Sequence, residues 1–324
     1  MNRSRVAIWL MLCAGAWLGC GGIALHLAMP FLYREAEIPR ENALLDIPYR
    51  LGSGADPEKH RLDFFLPVVS ESASGAVSGA SGWPVLVFVH GGGWTSGDRT
   101  QAFAGGDIYR NIGRYFASQG VGTAVISYRL QPAVDWRDQV EDVATAVWWV
   151  HERVADLGGD PNAIFLAGHS SGAQLAAHVA LGTPALRARA IDPPPLCGLV
   201  PVSGSAFDLT ADLGRWHGYF EERFRAGDPS EAWMREASPA SHATPEAPPT
   251  LILYSQLEAP LLRRQAKSLN EALRRQGVPS RIVVVPGQDH LRIVLALSRP
   301  DRHAGPEILS FIKSSRCEQH YAFR

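Results

Sequence analysis

The chain has 324 residues, 46% of them hydrophobic, enough to bury a large core in one domain with an elaborated loop region. Its 31 Lys+Arg against 32 Asp+Glu leave a formal net charge of −1, so no basic field is available to hold a polyanion and nucleic acid is not an expected partner. The four cysteines, Cys13, Cys20, Cys197 and Cys317, show neither CxxC nor Cys/His ligand spacing, which argues against a zinc site and against a disulfide framework. Cys197, in an apolar run, reads as a small buried hydrophobe.

The first element is unlike the rest. Arg3 and Arg5 precede Val6–Tyr33, a stretch with no Asp, Glu, Lys or Arg. It exceeds the roughly 20 apolar residues that one bilayer crossing needs. Residues 1–33 therefore read as a membrane anchor or signal segment, with the basic flank cytoplasmic and the large domain on the non-cytoplasmic side. Lipidation at Cys20 is a weaker variant, because Trp17 stands where a branched aliphatic residue is expected. Residues 34–45 are a charged connector, and the main domain is expected to run over 46–324.

From there apolar runs of strand length alternate with helical periods, the pattern of an α/β protein with a mainly parallel twisted sheet of about eight strands and helices on both faces. "DIPYRL" and "HRLDFFLP" are expected to open it as an antiparallel pair, and the Ser/Gly/Ala stretch Ser70–Gly82 is expected to be a flexible surface loop. Core strands follow in "PVLVFVH", "VGTAVISY", "AIFLAG", "LCGLVPVS", "PTLILYS" and "RIVVVPG". Such near-continuous apolar runs suit strands covered on both faces. Val140, Val143, Ala144, Val147, Val150 and Val154 form one helical stripe, and Leu262, Ala266, Leu269 and Leu273 another. Arg129 and Asp142 read as a structural ion pair, and Trp148 and Trp149 as packing. The His151-Glu152 pair has no second histidine at i+4 and is not a metal site.

Two motifs carry chemistry. "GHSSG" fits G-x-S-x-G with Ser170 at the centre, between a strand and the helix-like "SGAQLAAHVAL". Such a turn exposes the serine hydroxyl at a helix N-terminus, where developing negative charge is favoured. Ser171 would contribute its main-chain amide. The plainer reading of Ser170 is a helix N-cap. "VFVHGGGWTSGD" places His90-Gly91-Gly92-Gly93-Trp94 after the third expected strand, where an oxyanion hole belongs, because amides approach a substrate oxygen best without a Cβ in the way.

With these motifs the chain resembles the α/β-hydrolase carboxylesterases of the hormone-sensitive-lipase and kynurenine-formamidase type, over roughly Asp46 to Lys313. The resemblance rests on "HGGGWTSGD", "VISYRL", "WRDQVEDVATAVWWV", "GGDPNAIFLAGHSSGAQLA", "VSGSAFDL" and "GQDH". It implies the α/β-hydrolase fold and oxyanion donors at the amides of Gly92, Gly93 and Ser171.

This fold orders its triad as Ser, then Asp or Glu, then His. His290, just past the last strand, is the expected base; His303 competes, and His178 reads as a packed or surface residue. Glu258 is the expected acid, in "LILYSQLEAPLLRRQ", with Asp208 as the rival; Asp289 is too close in sequence to reach its neighbour's ring. The long segment 207–249 is expected to be a cap-like insertion, with Trp94, Trp216, Tyr219 and Phe220 as substrate contacts or as its own small core.

The expected function is hydrolysis of a small carboxylic ester by a serine esterase through an acyl-enzyme, with no cofactor and no metal. An amide hydrolase of the formamidase kind would use the same groups. A non-catalytic binding module on this fold is disfavoured by the presence of both Ser170 and His290. The segment 6–33 adds the expectation of a membrane-anchored or exported protein. Oligomeric state is left open.

Overall fold

The computed structural model describes residues 33–68, 82–103, 106–192 and 195–317. Each expected core run is a strand of one eight-stranded sheet. In chain order these are β1 (Ala43–Pro48), β2 (Arg61–Phe65), β3 (Trp83–Val89), β4 (Gly122–Ile126), β5 (Gly159–His169), β6 (Gly198–Val202), β7 (Thr250–Ser255) and β8 (Ser280–Val285). They lie in the order β1-β2-β4-β3-β5-β6-β7-β8. β2 pairs antiparallel with β1 and β4, and the other pairs are parallel.

Period-two alternation sorts the side chains of β3 between two cores. Val85, Val87 and Val89 join one cluster and Leu86 and Phe88 the other. Covering helices supply the rest of each cluster. Helices α2 (Trp136–Arg153), α3 (Ser171–Ala180) and α7 (Pro260–Arg275) bury their apolar stripes with the first set, and α1 (Ile108–Ser118), α8 (Arg292–Leu297) and α9 (Ala304–Ser314) with the second. α2 starts where Asp135 and Asp138 form a reciprocal capping box. The expected valine stripe of α2 is buried throughout. Arg129 and Asp142 pair at 2.7 Å, joined by His60 Nε2 at 2.9 Å from the same carboxylate.

Several expectations change. β1 begins at Ala43, three residues before the expected strand, and Tyr49 leaves the ladder to donate its hydroxyl to the Ser127 carbonyl at 2.8 Å. The supposed connector is packed: Asn111 accepts from the Ala36 amide at 2.7 Å and donates to the Arg34 carbonyl at 2.9 Å, and Ile38 lies against the core. Cys197 is not a free hydrophobe, since it forms a disulfide with Cys317 across 120 residues. That pairing arises because the chain after α9 returns to the start of β6.

The expectation of a membrane-anchored or exported protein is corrected: no helix among the described residues is long and apolar enough to cross a membrane. The segment on which it rested, Val6–Tyr33, lies outside the described residues except for Tyr33, as does nearly all of the Ser70–Gly82 stretch.

Candidate active site

The carboxyl ends of β3, β5, β7 and β8 meet at one edge of the sheet. Ser170 follows β5 with φ 55°, a conformation that is strained for a residue with a Cβ. Its amide donates to the Val202 carbonyl at 3.0 Å, anchoring the turn to β6. Flanking glycines are required by contact: a Cβ at Gly168 would strike the Gly172 carbonyl, and one at Gly172 would strike the carbonyls of Val89 and His90. α3 begins immediately at Ser171, yet the Ser170 side chain makes no capping bond. Instead its Oγ lies 3.0 Å from His290 Nε2.

His290 is presented by the turn after β8. The Asp289 carboxylate accepts from the amides of Leu291 at 3.1 Å and Arg292 at 2.9 Å, so Asp289 shapes the turn and is not aimed at the imidazole. The Nδ1 edge of His290 faces Glu258, 3.2 Å from both carboxylate oxygens. Glu258 follows β7 and is only 4% exposed. Its carboxylate also accepts from Ser255 Oγ at 3.0 Å and from the Ala259 amide at 3.2 Å. Burial alone would raise its pKa; the hydrogen bonds from His290 and Ser255 together with the His290 charge outweigh that and hold it below the usual range. Ser255 ends β7, and the sequence reading passed over it. A serine closing an apolar strand, as in "LILYS", was the available signal.

The turn after β3 is built from its backbone. Gly92 and Gly93 have φ of 131° and 62°, and a Cβ on Gly92 would run into the Ser96 carbonyl. The Gly92 carbonyl accepts from the Ser96 amide at 3.1 Å and from Ser96 Oγ at 2.8 Å, closing the loop. Two donors, the Gln131 amide at 3.0 Å and Gln139 Nε2 at 2.7 Å, hold the Trp94 carbonyl. Gly91's amide is spent on the Tyr109 hydroxyl at 3.0 Å. Those of Gly92, Gly93 and Ser171 have no protein acceptor among the described residues, so they remain available to an oxygen placed between them. His90 donates from Nδ1 to the Gly91 carbonyl at 2.7 Å and stacks on Tyr128 with ring centroids 4.3 Å apart. Burial lowers its pKa to about 4 and keeps it neutral.

The four expected substrate contacts divide. Trp94 and Phe220 are 1% and 2% exposed and cannot line an open site. The Trp94 indole N–H donates to Gln174 Oε1 at 3.0 Å, and its ring packs on Phe224 with centroids 4.9 Å apart. With Phe220 and Phe224 of helix α5 (His217–Phe224), Trp94 belongs to the same buried cluster as the sheet's covering helices, so the segment 207–249 closes its apolar face onto the main core. Trp216 and Tyr219 are half-buried, and the Tyr219 hydroxyl lies beside Gly93. Arg223 stacks on Tyr219 at 3.6 Å and donates weakly to the Gly93 carbonyl at 3.4 Å, tying α5 to the glycine turn.

The rival residues lie elsewhere. Asp208 accepts from Thr210, His303 is exposed at the start of α9, and His178 is buried between Thr183 Oγ1 at 2.9 Å and the Ala237 carbonyl at 3.2 Å.

Fold and site together define an α/β-hydrolase with a serine on a strand-to-helix elbow facing a histidine and a carboxylate. Residues 86–293 match the family described as alpha/beta hydrolase fold, and the chain belongs to it. Among curated relatives, it is 31% identical to "Esterase LipC" of Mycobacterium tuberculosis over 257 residues, 72% of this chain and 60% of that protein. It is 32% identical to "Esterase LipQ" of the same organism, over 60% of this chain and 46% of that protein. The chain thus spans about half the length of the curated relatives it matches. Esterase B from Lactobacillus rhamnosis shares the fold at a TM-score of 0.69 and 20% identity, covering 95% of this chain and 96% of that one.

Proposed function

We propose that the protein hydrolyses carboxylic esters through an acyl-enzyme on Ser170, with His290 as general base, Glu258 as the orienting acid, and the amides of Gly92, Gly93 and Ser171 as oxyanion hole. The observation that carries the proposal is the unbroken contact from Ser170 Oγ through His290 Nε2 at 3.0 Å to Glu258 at 3.2 Å from Nδ1. With Glu258 ionised, the imidazole keeps its proton on Nδ1 and offers Nε2 as acceptor. It takes the Ser170 proton as the oxygen attacks the ester carbonyl. Negative charge on the former carbonyl oxygen meets the three amides, and collapse returns the proton to the leaving alcohol. Water, deprotonated by the same imidazole, then releases the acid.

The relatives' printed names favour an ester over an amide. In this reading the catalytic domain takes in the packed segment from Arg34 and β1 from Ala43 as well as residues 46–324, with 207–249 its cap, and Trp216 and Tyr219 are the side chains that meet a small, uncharged substrate. The test is a panel of p-nitrophenyl esters of increasing chain length beside N-formylkynurenine. Faster turnover of the formyl amide would convert the proposal to an amidase. In the same assay Ser170→Ala is expected to abolish turnover and fluorophosphonate labelling, while Ser171→Ala, which keeps its amide, retains much of both.

A further inference from the structure

The residue before the nucleophile, His169, is left without a task by the chemistry above. Its ring is 3% exposed, and its Nε2 lies 3.0 Å from the main-chain carbonyl of His290. The two imidazole centroids are 5.0 Å apart. Its Nδ1 is buried with no hydrogen-bond partner among the described residues and faces Gly91, where a Cβ would approach it to 2.8 Å. One side chain therefore touches the loops that carry the nucleophile, the base and the oxyanion amides.

We propose that His169 is a positioning residue, whose neutral Nε2–H clamps the His290 backbone onto the nucleophile elbow and so fixes where the catalytic imidazole sits over Ser170. The inference rests on the triad reading given above. Topology supplies the need for such a clamp. Two strands separate β5 from β8, a span of about 14 Å at ~4.8 Å per strand. Among the described residues the other main-chain anchors of the base loop lie on its near side, where the Leu257 amide donates to the Gln288 carbonyl at 3.0 Å and the Gly287 amide to Gln256 Oε1 at 2.9 Å. Bonds to Glu258 and Ser170 orient the His290 ring, but at its main chain the hydrogen bond reaching across from the elbow is that of His169.

The same geometry excludes other tasks for His169. Nε2 is engaged with a carbonyl and Nδ1 abuts Gly91, so neither nitrogen is placed to accept the Ser170 proton. Neutrality suits the clamp, since a proton on Nδ1 would be a buried charge without an acceptor. Burial, with the charge of His290 adding to it, lowers the pKa to about 3, so His169 stays neutral while His290 cycles.

His169→Phe keeps the ring and deletes the donor, whereas His169→Gln returns a donor near the Nε2 position. We expect His169→Phe to lose about 10- to 100-fold in kcat, the scale of a small misplacement of a catalytic group. KM should stay within about twofold, labelling of Ser170 should slow in parallel, and amide exchange at residues 287–291 should quicken. The Gln variant should recover most of the loss at a Tm equal to that of the Phe variant. Wild-type kcat in the Phe variant overturns the clamp, because ring packing alone then suffices, and so does a Gln variant as impaired as Phe, because a restored donor then recovers nothing. A wild-type protein inert to every ester and to the fluorophosphonate overturns the triad reading instead, and the exchange measurement still reports on the clamp.

Discussion

Glu258→Gln preserves the volume of a side chain that is 4% exposed and removes its charge. When the Ser170 proton reaches His290, the imidazolium faces the carboxylate with Nδ1 3.2 Å from each oxygen. With charge centres about 4 Å apart and an effective dielectric of about 20, the attraction is about 4 kcal/mol. It is present only once the imidazole is charged, so its loss falls on the barrier and corresponds to about 10³ in kcat. The amide introduces a second fault: its NH₂ can face Nδ1, favouring the tautomer whose proton sits on Nε2, which cannot accept from Ser170. The combined expectation is a fall of about 10³ to 10⁴ in kcat with KM little changed. The Ser255 hydroxyl shares with His290 in keeping Glu258 ionised. The assay is kcat and KM on p-nitrophenyl butyrate, with Asp208→Asn and Asp289→Asn alongside and expected near wild type. A Glu258→Gln enzyme within tenfold of wild-type kcat, or a crippled Asp208→Asn enzyme, would refute the assignment.

Gly92→Ala forces a side chain into φ 131° and against the Ser96 carbonyl, so the glycine turn must move; kcat should fall by about 10²- to 10³-fold, the scale of a lost oxyanion donor, and an unimpaired variant would remove Gly92 from the site. His90, His169 and His178 are buried, with pKa values lowered to about 4, 3 and 3. Because the unfolded chain takes up these protons near pH 6.5 and the folded chain does not, stability should drop by about 4 kcal/mol per unit as pH falls from about 6 to 4. Denaturant titrations at several pH values check the slope, and a flat profile would mean that the three rings are not held neutral. The Cys197–Cys317 disulfide closes a loop of 120 residues, which the chain-entropy relation values at about 5 kcal/mol. Reduction or Cys317→Ser should lower Tm by roughly 10 °C, and an unchanged Tm under reductant would show that the bond does not constrain the unfolded chain.

What the sequence determined by itself was local. Glycine is demanded where φ is positive or where backbones nearly touch, so the elbow at Gly168–Gly172 and the turn at Gly92–Gly93 are legible as spacing alone. Apolar runs of strand length and valine stripes of helical period report burial directly, which is why the strands and α2 could be read from them. Tertiary structure decided what depends on direction and distance. Chain position set Asp289 aside and ranked Glu258 above Asp208, but as chemistry these are equivalent carboxylates, and it is β7 and β8 lying side by side that brings Glu258 to 3.2 Å from His290. Trp94 directly follows the glycine motif and Phe220 lies in the segment 207–249, yet both rings turn inward because that segment closes its apolar face onto the main core, Trp94 included. Cys197 and Cys317 carry no spacing signal because the fold, not the local chain, makes them neighbours. His169 is the extreme case: its partner is a main-chain carbonyl 121 residues away, and a backbone acceptor leaves no residue type in the sequence by which to recognise it.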